Sequence, residues 1–131
     1  VRRLPRDGWI LLGGLSQGVS MALDVLLHLS DNLCARVRGV IAKRGTLQDE
    51  TLRDVKITEL QTRLAAVTVL ATHGTDDDMV PMWAARRSYE FLVRCGVSLD
   101  FRSFAGLRHL GYSEEEADAI ARFSGQMFGE P

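Results

Sequence analysis

Short apolar runs that alternate with helical patterns are the feature that most restricts how this chain of 131 residues can fold. Residues 9–12 (W-I-L-L) form a continuous apolar run closed by Gly13 and Gly14. Such a run is typical of a strand that is buried on both faces of a parallel sheet. Over residues 17–29 the apolar positions recur at intervals of three and four, which predicts a largely buried helix. A strand followed directly by a helix is the repeating unit of α/β folds.

The same alternation continues to the end of the chain. Further strands are predicted over residues 37–42, 64–72 and 99–104, the last with the period-two pattern of a strand near a sheet edge. Helices are predicted over residues 81–96 and 113–127, and the polar residues 43–56 are predicted to form a loop with at most one helical turn. The chain is therefore predicted to be an α/β protein with about four parallel strands and flanking helices.

The spacing of apolar residues also predicts which helix faces point inward. The helix over residues 81–96 is expected to bury Ala85, Tyr89, Leu92 and Val93. The last helix is expected to bury Ala117, Ile120, Ala121 and Phe123. Ser113 and Glu116 have the spacing of a capping box at its start. The acidic run over residues 114–116 is expected to be a solvated first helical turn that suits the positive end of the helix dipole.

Composition excludes several classes of protein. The 16 Lys and Arg residues nearly balance the 17 Asp and Glu residues, so no long-range field marks a nucleic-acid partner or a polybasic membrane protein. No apolar run approaches the roughly 20 residues of a transmembrane helix. Cys34 and Cys95 lack C-x-x-C spacing and are expected to be buried or half-buried free thiols. We therefore expect a soluble protein, with a cytoplasmic location.

Residues 14–18 read G-L-S-Q-G and lie between the first predicted strand and the first predicted helix. A G-x-S-x-G sequence in this context is typical of a nucleophile elbow. Gly14 and Gly18 would permit the sharp turn that lifts the side chain of Ser16 out of the sheet, and N–H groups at the helix start would face an oxyanion. The alternative is a glycine-flanked turn whose serine only caps the helix.

A serine hydroxyl is a poor nucleophile until a histidine accepts its proton and a carboxylate fixes the tautomer of that histidine. In α/β-hydrolases the chain order is Ser, Asp, His, and the two later residues follow two later strands. Here the third predicted strand is followed by Asp76, Asp77 and Asp78, and the fourth by His109. Both partners therefore stand where this topology needs them, but the pattern by itself leaves open which aspartate is used.

Three segments together resemble acyl-protein thioesterases and related carboxylesterases, the phospholipase/carboxylesterase family of serine α/β-hydrolases. They are G-G-L-S-Q-G at residues 13–18, H-G-x-x-D-x-x-V-P at residues 73–81 and F-x-G-x-x-H at residues 104–109. The resemblance implies that Ser16 is the nucleophile, that Asp77 orients the base and that His109 is the general acid and base. It also implies that Gln17 gives one oxyanion N–H, and that no metal or organic cofactor is needed.

Two further histidines and the segment after the second strand can also be compared with the family pattern. His73 fits that pattern as a structural residue beside the acid loop, and His28 is expected to have a half-buried packing role. The resemblance is weakest over residues 43–57. There Lys43, Arg44 and Gly45 stand where the family usually has a Ser-Gly pair after the second strand, so the substrate-facing wall is expected to depart from the pattern.

A second oxyanion donor in this fold comes from a loop that precedes the elbow, and 15 residues precede Ser16 in this chain. Residues 1–131 are therefore expected to be the C-terminal part of a single α/β-hydrolase domain, without its first strands and oxyanion loop. The strand over residues 9–12 would then present an exposed apolar edge. Such an edge favours homo-oligomerisation or aggregation through it, or its completion by another polypeptide segment.

The resemblance implies hydrolysis of an acyl ester or thioester, with a lipidated protein or a lysolipid among the candidate substrates. Two alternatives stay open. The chain could be a catalytically inactive hydrolase-like fragment that acts as a binding module or has no function of its own. It could also belong to another α/β-hydrolase branch, such as a dienelactone-type or general lipase-like enzyme.

Overall fold

Four parallel strands form the sheet in the computed structural model, which describes residues 8–53 and 55–129. The strands are β1 (Ile10–Leu15), β2 (Val37–Lys43), β3 (Thr68–Gly74) and β4 (Ser98–Phe104). They lie in the order β1-β2-β3-β4, and each neighbouring pair is parallel. The predicted α/β class with about four parallel strands is confirmed. Residues 1–7, 54, 130 and 131, which the expected domain includes, lie outside the described residues.

The helices connect the strands and cover both faces of the sheet. They are α1 (Gln17–His28), α2 (Asp31–Cys34), α3 (Asp49–Arg53), α4 (Ile57–Arg63), α5 (Met82–Arg94) and α6 (Glu114–Phe128). The main hydrophobic core joins residues of α1, α4 and α5 to the sheet and includes none from α6. Helix α6 contacts β2 and β3 instead and brings Met127 against Gly39, so it covers the other face.

The position of each strand explains its residue pattern. β3 lies inside the sheet and is buried along nearly its whole length, as its β-branched and apolar residues lead one to expect. β4 alternates exposed and half-buried residues because it lies at an edge. All four strands run in the same direction, so the loops after β1, β3 and β4 meet at the carboxyl end of the sheet.

One of the two helices in the middle of the chain was not expected from the sequence. Residues 43–56 contain α3, which is the single helical turn expected there, but α4 was not identified from sequence. Helix α4 is short and buries Leu60, so it carries little helical periodicity. Leu64 caps its end and is itself buried, which moves the start of β3 from the predicted residue 64 to Thr68.

The inward faces of the two long C-terminal helices also differ from the predictions. In α5, Val93 is 52% exposed, whereas Ser88 and Phe91 are buried beside the expected residues.

In α6, Ala117 and Ala121 are exposed, and the buried residues are Glu116, Ala119 and Phe123. The expectation that all of residues 114–116 are solvated is therefore wrong for Glu116, which is 1% exposed. The Ser113 hydroxyl accepts a hydrogen bond from the Glu116 N–H (3.1 Å), as in a capping box. The Glu116 carboxylate pairs with Arg44 instead of returning to the helix start.

Other expectations can be compared directly with the described residues. Cys34 and Cys95 are both buried free thiols, as predicted. No helix in the described part of the chain has the length and the apolar character that crossing a membrane requires.

The two neighbouring residues Leu92 and Val93 offer a test of the α5 face. Replacing fully buried Leu92 by Ala removes packed methyl groups and should lower the free energy of unfolding by about 2–5 kcal/mol. The control Val93→Ala should change it by no more than about 0.5 kcal/mol, because Val93 is largely exposed. Urea denaturation of both variants measures the difference, and equal losses would contradict the observed orientation of α5.

Candidate active site

Ser16 lies at the junction between β1 and α1 with φ of 56° and ψ of −118°, outside the regions that non-glycine residues usually adopt. A non-glycine residue in this region costs about 1–3 kcal/mol and persists only where its surroundings hold it. Here the Ser16 N–H donates to the Lys43 carbonyl (2.9 Å), and the Ser16 carbonyl accepts from the Val19 N–H (3.0 Å). The turn is therefore anchored both to β2 and to the first turn of α1.

The two glycines of the turn do not share one role. A Cβ atom at Gly14 would collide with the carbonyl of Gly18, so this position permits no side chain. A Cβ atom at Gly18 would meet no heavy atom within 4 Å in the described part of the chain. The steric reason that we expected for both glycines therefore applies to Gly14, and these residues give no such reason for Gly18.

The Ser16 hydroxyl contacts a histidine from the opposite end of the chain. Its Oγ lies 2.8 Å from Nε2 of His109, which the loop after β4 carries. The same hydroxyl makes no capping hydrogen bond to α1. The alternative that this serine only caps the helix therefore has no support in the structure.

The other ring nitrogen of His109 contacts Asp77 in the loop after β3, with 2.8 Å between Nδ1 and Oδ2. The second oxygen of Asp77 accepts from the N–H groups of Met79 (2.9 Å) and Val80 (2.8 Å). Only 3% of the His109 side chain and 1% of the Asp77 side chain are exposed. A carboxylate facing Nδ1 places the proton there, which leaves Nε2 as the acceptor for the hydroxyl of Ser16.

The environment of Asp77 keeps its carboxyl group ionised. Burial alone would raise the pKa of Asp77, but the hydrogen bond from the Val80 N–H, together with those from His109 and Met79, outweighs burial. The pKa of Asp77 therefore lies below its usual value. Because hydrogen bonds to the charged form favour that form, Asp77 is a carboxylate at neutral pH.

The aspartates on either side of Asp77 contact other groups. Asp76 accepts a hydrogen bond from the Thr75 hydroxyl (3.3 Å), and Asp78 pairs with Arg108 (3.0 Å), both in exposed positions. The sequence pattern by itself left the choice among the three aspartates open, and the resemblance to the family implied Asp77. The structure brings Asp77 against His109.

The two remaining histidines lie apart from the Ser16 hydroxyl. His73 is fully buried, and its Nε2 donates to the Val80 carbonyl (2.8 Å) and lies 3.5 Å from Asp77. This contact supports the acid loop, in agreement with the structural role expected for His73. His28 is exposed and lies 2.8 Å from the Asp24 carbonyl of its own helix, so the expectation of a half-buried packing role is wrong.

Gln17 is the first residue of α1, and its backbone N–H therefore has no acceptor within the helix. The N-terminus of a helix also carries the positive end of the helix dipole. This N–H group is thus suited to stabilise negative charge beside Ser16. Within residues 8–53 and 55–129, no group of three or more His, Cys, Asp or Glu residues is arranged to hold a metal ion.

Arg44 supports the site and was not identified from sequence as a functional residue. It is 3% exposed and has φ of 57°. Its Nε and Nη2 atoms bind both oxygens of Glu116, at 3.1 Å and 2.5 Å. Its Nη1 donates to the carbonyls of His109 (2.8 Å) and Gly111 (2.6 Å). The only sequence signal was the departure from the family pattern at this position.

The Arg44–Glu116 pair is a buried ion pair. Burial alone would raise the pKa of Glu116, but the hydrogen bonds and charge of Arg44, with help from the charge of Lys43, outweigh it. The pKa of Glu116 therefore lies below its ordinary value of 4.5. Since arginine stays protonated, the pair is charged on both sides at neutral pH.

Comparison with known proteins adds a family and a set of similar folds. The family model of phospholipases and carboxylesterases matches residues 5–124. No curated protein sequence matches the chain.

Several solved structures are similar to the described fold. Acyl-protein thioesterase 2 from Zea mays superposes with a TM-score of 0.75 at 20% identity, over 95% of this chain and 58% of that protein. A variant of Arabidopsis thaliana SOBER1 superposes with a TM-score of 0.69 at 24% identity, over 96% of this chain and 55% of that one. The carboxylesterase of Bacillus cereus gives a TM-score of 0.68 at 14% identity, over 90% and 50%.

These similarities confirm the predicted α/β-hydrolase fold. The chain spans about half of the length of the solved structures that it matches.

The contrast between the two glycines of the turn gives a matched pair of variants. Gly14→Ala should lower the free energy of unfolding by about 1–3 kcal/mol or more, because the added methyl group collides with backbone. Gly18→Ala should leave it unchanged or raise it by up to about 1 kcal/mol, since alanine favours a helix and meets no neighbour. Thermal and urea denaturation measure both. Comparable destabilisation by the two variants would contradict the steric distinction.

The Arg44–Glu116 pair predicts a pH-dependent stability. Because the pKa of Glu116 is lowered on folding, its contribution is present above pH 4.5 and is lost as the pH falls through its folded-state pKa. At pH 7, Glu116→Gln should therefore lower the free energy of unfolding by about 3–5 kcal/mol, since it leaves a buried charge unpaired. The difference from the wild type should shrink as the pH falls below 4.5.

The control for this experiment is Glu115→Gln, which changes an exposed carboxylate in the same helical turn. It should differ little from the wild type across the pH range, because exposed charges contribute little. Urea titrations at several pH values compare the three proteins. A Glu116→Gln difference that does not vary with pH would show that the carboxylate charge is not what stabilises the fold.

Proposed function

Because this chain belongs to the phospholipase/carboxylesterase family, we propose that it is a serine hydrolase that cleaves carboxylic esters or thioesters through an acyl intermediate on Ser16. One observation carries the proposal. Two hydrogen bonds, each of 2.8 Å, form a continuous path from the Ser16 hydroxyl through the ring of His109 to Asp77. This is the arrangement that activates a serine nucleophile.

In the proposed acylation step, Nε2 of His109 accepts the proton of the Ser16 hydroxyl while Oγ attacks the carbonyl carbon of the substrate. The electron pair of the carbonyl double bond moves to its oxygen, and the Gln17 N–H stabilises the resulting oxyanion. The intermediate then collapses and expels the alcohol or thiol, which takes the proton from His109. Asp77 stabilises the imidazolium without taking its proton.

Deacylation repeats these steps with water as the nucleophile. His109 removes a proton from water as its oxygen attacks the acyl carbon, and the Ser16 oxygen leaves with the proton that His109 returns. The acid is released and the free serine is regenerated. The mechanism needs no metal or organic cofactor.

The surroundings of the site support a substrate with an apolar acyl group. Leu15 and Leu110 flank Ser16 and His109 in the sequence and are 52% and 87% exposed, and Met79 beside the acid loop is 65% exposed. Apolar side chains that stay exposed around a polar site favour an apolar ligand. Together with the resemblance to the family, these side chains support a medium or long acyl chain as the proposed substrate class, with a lipidated protein or a lysolipid as candidates.

Three further expectations stay predictions. They are the assignment of residues 1–131 to the C-terminal part of one hydrolase domain, homo-oligomerisation through the edge of β1, and a cytoplasmic location. Among the described strands, β1 pairs with β2 alone, which leaves its other edge available to another segment.

An active-site-directed probe tests the proposed mechanism. A fluorophosphonate should label the folded chain at Ser16, and Ser16→Ala should abolish labelling. Asp77→Asn should slow ester hydrolysis by about 10³–10⁴-fold, because the amide favours the wrong tautomer of His109. The matched control Asp76→Asn should stay within about twofold of the wild type, since Asp76 contacts an exposed hydroxyl. Labelling rates, peptide mapping and hydrolysis of p-nitrophenyl esters supply the measurements.

The outcome also separates the alternatives. A folded chain that is neither labelled at Ser16 nor able to hydrolyse esters would contradict the proposal and favour the inactive hydrolase-like fragment. The observation that favours this alternative is that the chain spans about half of the length of its solved relatives. If the chain is active, relative rates on thioesters and on esters of increasing acyl length distinguish a thioesterase from a dienelactone-type or lipase-like enzyme.

A further inference from the structure

Residues 43–45, which we call the bridge segment, follow β2 and are held against the turn that carries Ser16. The Lys43 carbonyl accepts the Ser16 N–H (2.9 Å). A Cβ atom at Gly45 would collide with the Ser16 carbonyl, so the two backbones are in close contact. The hydroxyl of buried Tyr89 donates to the Gly45 carbonyl (2.8 Å). The bridge segment is therefore fixed relative to the nucleophile.

Arg44, at the centre of the bridge segment, is also fixed through its own backbone. Its N–H donates to the Thr72 carbonyl of β3 (2.9 Å). Its φ of 57° departs from the extended backbone of the preceding strand. A non-glycine residue in this conformation needs compensating contacts, and the guanidinium group supplies them.

The guanidinium group of Arg44 holds the loop that carries His109. Its Nη1 donates to the carbonyls of His109 (2.8 Å) and Gly111 (2.6 Å) and lies 3.4 Å from that of Arg108. These carbonyls flank the ring of His109 on both sides along the chain. The contacts therefore fix the backbone from which the imidazole extends.

Glu116 fixes the guanidinium group from the other side. It binds Nε and Nη2 of Arg44 in a bidentate pair, and Lys43 approaches the same carboxylate at 3.4 Å. This pairing leaves Nη1 directed at the carbonyls of the histidine loop. Both side chains of the pair are almost completely buried, so water cannot replace either partner.

We propose that Arg44 is a positioning residue, which joins the nucleophile turn to the histidine loop and thereby keeps His109 within hydrogen-bonding distance of Ser16, with Glu116 orienting the guanidinium group. The inference rests on the proposed roles of Ser16 and His109. A displacement of about 1 Å between reacting groups can lower a rate about 10²-fold. Lysine cannot replace Arg44, because it lacks the planar fork that binds a carboxylate and a carbonyl together.

The test compares Arg44→Met and Arg44→Lys with the control Arg38→Met. Arg38 lies near the start of β2, and its Nη1 donates to the Met127 carbonyl (2.9 Å), so the control also removes an arginine–carbonyl contact. Both Arg44 variants should lower kcat for a p-nitrophenyl ester about 10²-fold with KM within about twofold of the wild type. Arg38→Met should leave both constants within about twofold, when corrected for the folded fraction measured by circular dichroism.

A second measurement does not depend on turnover. The proton between His109 Nδ1 and Asp77 should give a downfield proton NMR signal in the wild type and in Arg38→Met, identified by its loss in Asp77→Asn. The signal should be broadened or lost in folded Arg44→Lys and Arg44→Met, because solvent then reaches a mobile ring. If Arg44→Met does not fold, Arg44→Lys and Glu116→Gln provide the same comparison.

The outcomes separate this inference from the proposed function. Folded Arg44 variants that keep both the wild-type kcat and the NMR signal would overturn the positioning role. Equal losses in Arg44→Met and Arg38→Met would also overturn it, since they would indicate general destabilisation. A wild type that shows the Arg44-sensitive signal but neither hydrolyses esters nor reacts with the fluorophosphonate would overturn the proposed function while supporting the positioning role.

Discussion

Parallel pairing of the four described strands is the constraint on which the site depends. Because the strands run in the same direction, the loops after β1, β3 and β4 lie at one edge of the sheet. Ser16, Asp77 and His109 each follow a different strand, and His109 lies 93 positions from Ser16 in the sequence. Residues so distant can touch through two hydrogen bonds of 2.8 Å only because the backbone of the sheet sets the distances between their loops.

Buried polar groups determine the charge and the orientation of the site residues, which the sheet alone does not fix. Asp77 receives two backbone N–H groups in addition to His109, which keeps it charged although it is nearly excluded from solvent. The Arg44–Glu116 pair adds a second buried charged network that touches the backbone of the histidine loop. A buried ion pair is weak evidence for added stability, since desolvation opposes its attraction. The contact of Arg44 with the histidine loop is consistent with a role of the pair in positioning that loop.

Family membership and the geometry of the site independently support the proposed hydrolysis of esters or thioesters. The family model matches most of the chain, and solved esterases and thioesterases share its fold at low identity. The Arg44–Glu116 network lies where the sequence departs from the family's usual Ser-Gly pair. A common fold is thus compatible with a local arrangement that this chain builds from its own residues.

The sequence by itself determined the α/β class, three of the four strand positions, the order of the three site residues and the identity of Ser16 and His109 as candidates. These features depend on apolar runs, helical spacing and glycine-flanked turns. Each of these patterns is contained in a short stretch of neighbouring residues and can therefore be read from the sequence. The start of β3, helix α4 and the inward faces of α5 and α6 were decided by packing, because short or mixed patterns fit more than one orientation.

Only the tertiary structure placed Glu116 in the interior, where an arginine 72 positions away compensates its charge. A capping pattern and an acidic run predict a solvated residue, and no local signal reports a partner that folding brings from another strand. The residues alone leave the choice among Asp76, Asp77 and Asp78 open for the same reason, although the resemblance to the family spacing implies Asp77. Three adjacent carboxylates look alike by local pattern, and in the structure Asp77 is the one that contacts the imidazole of His109.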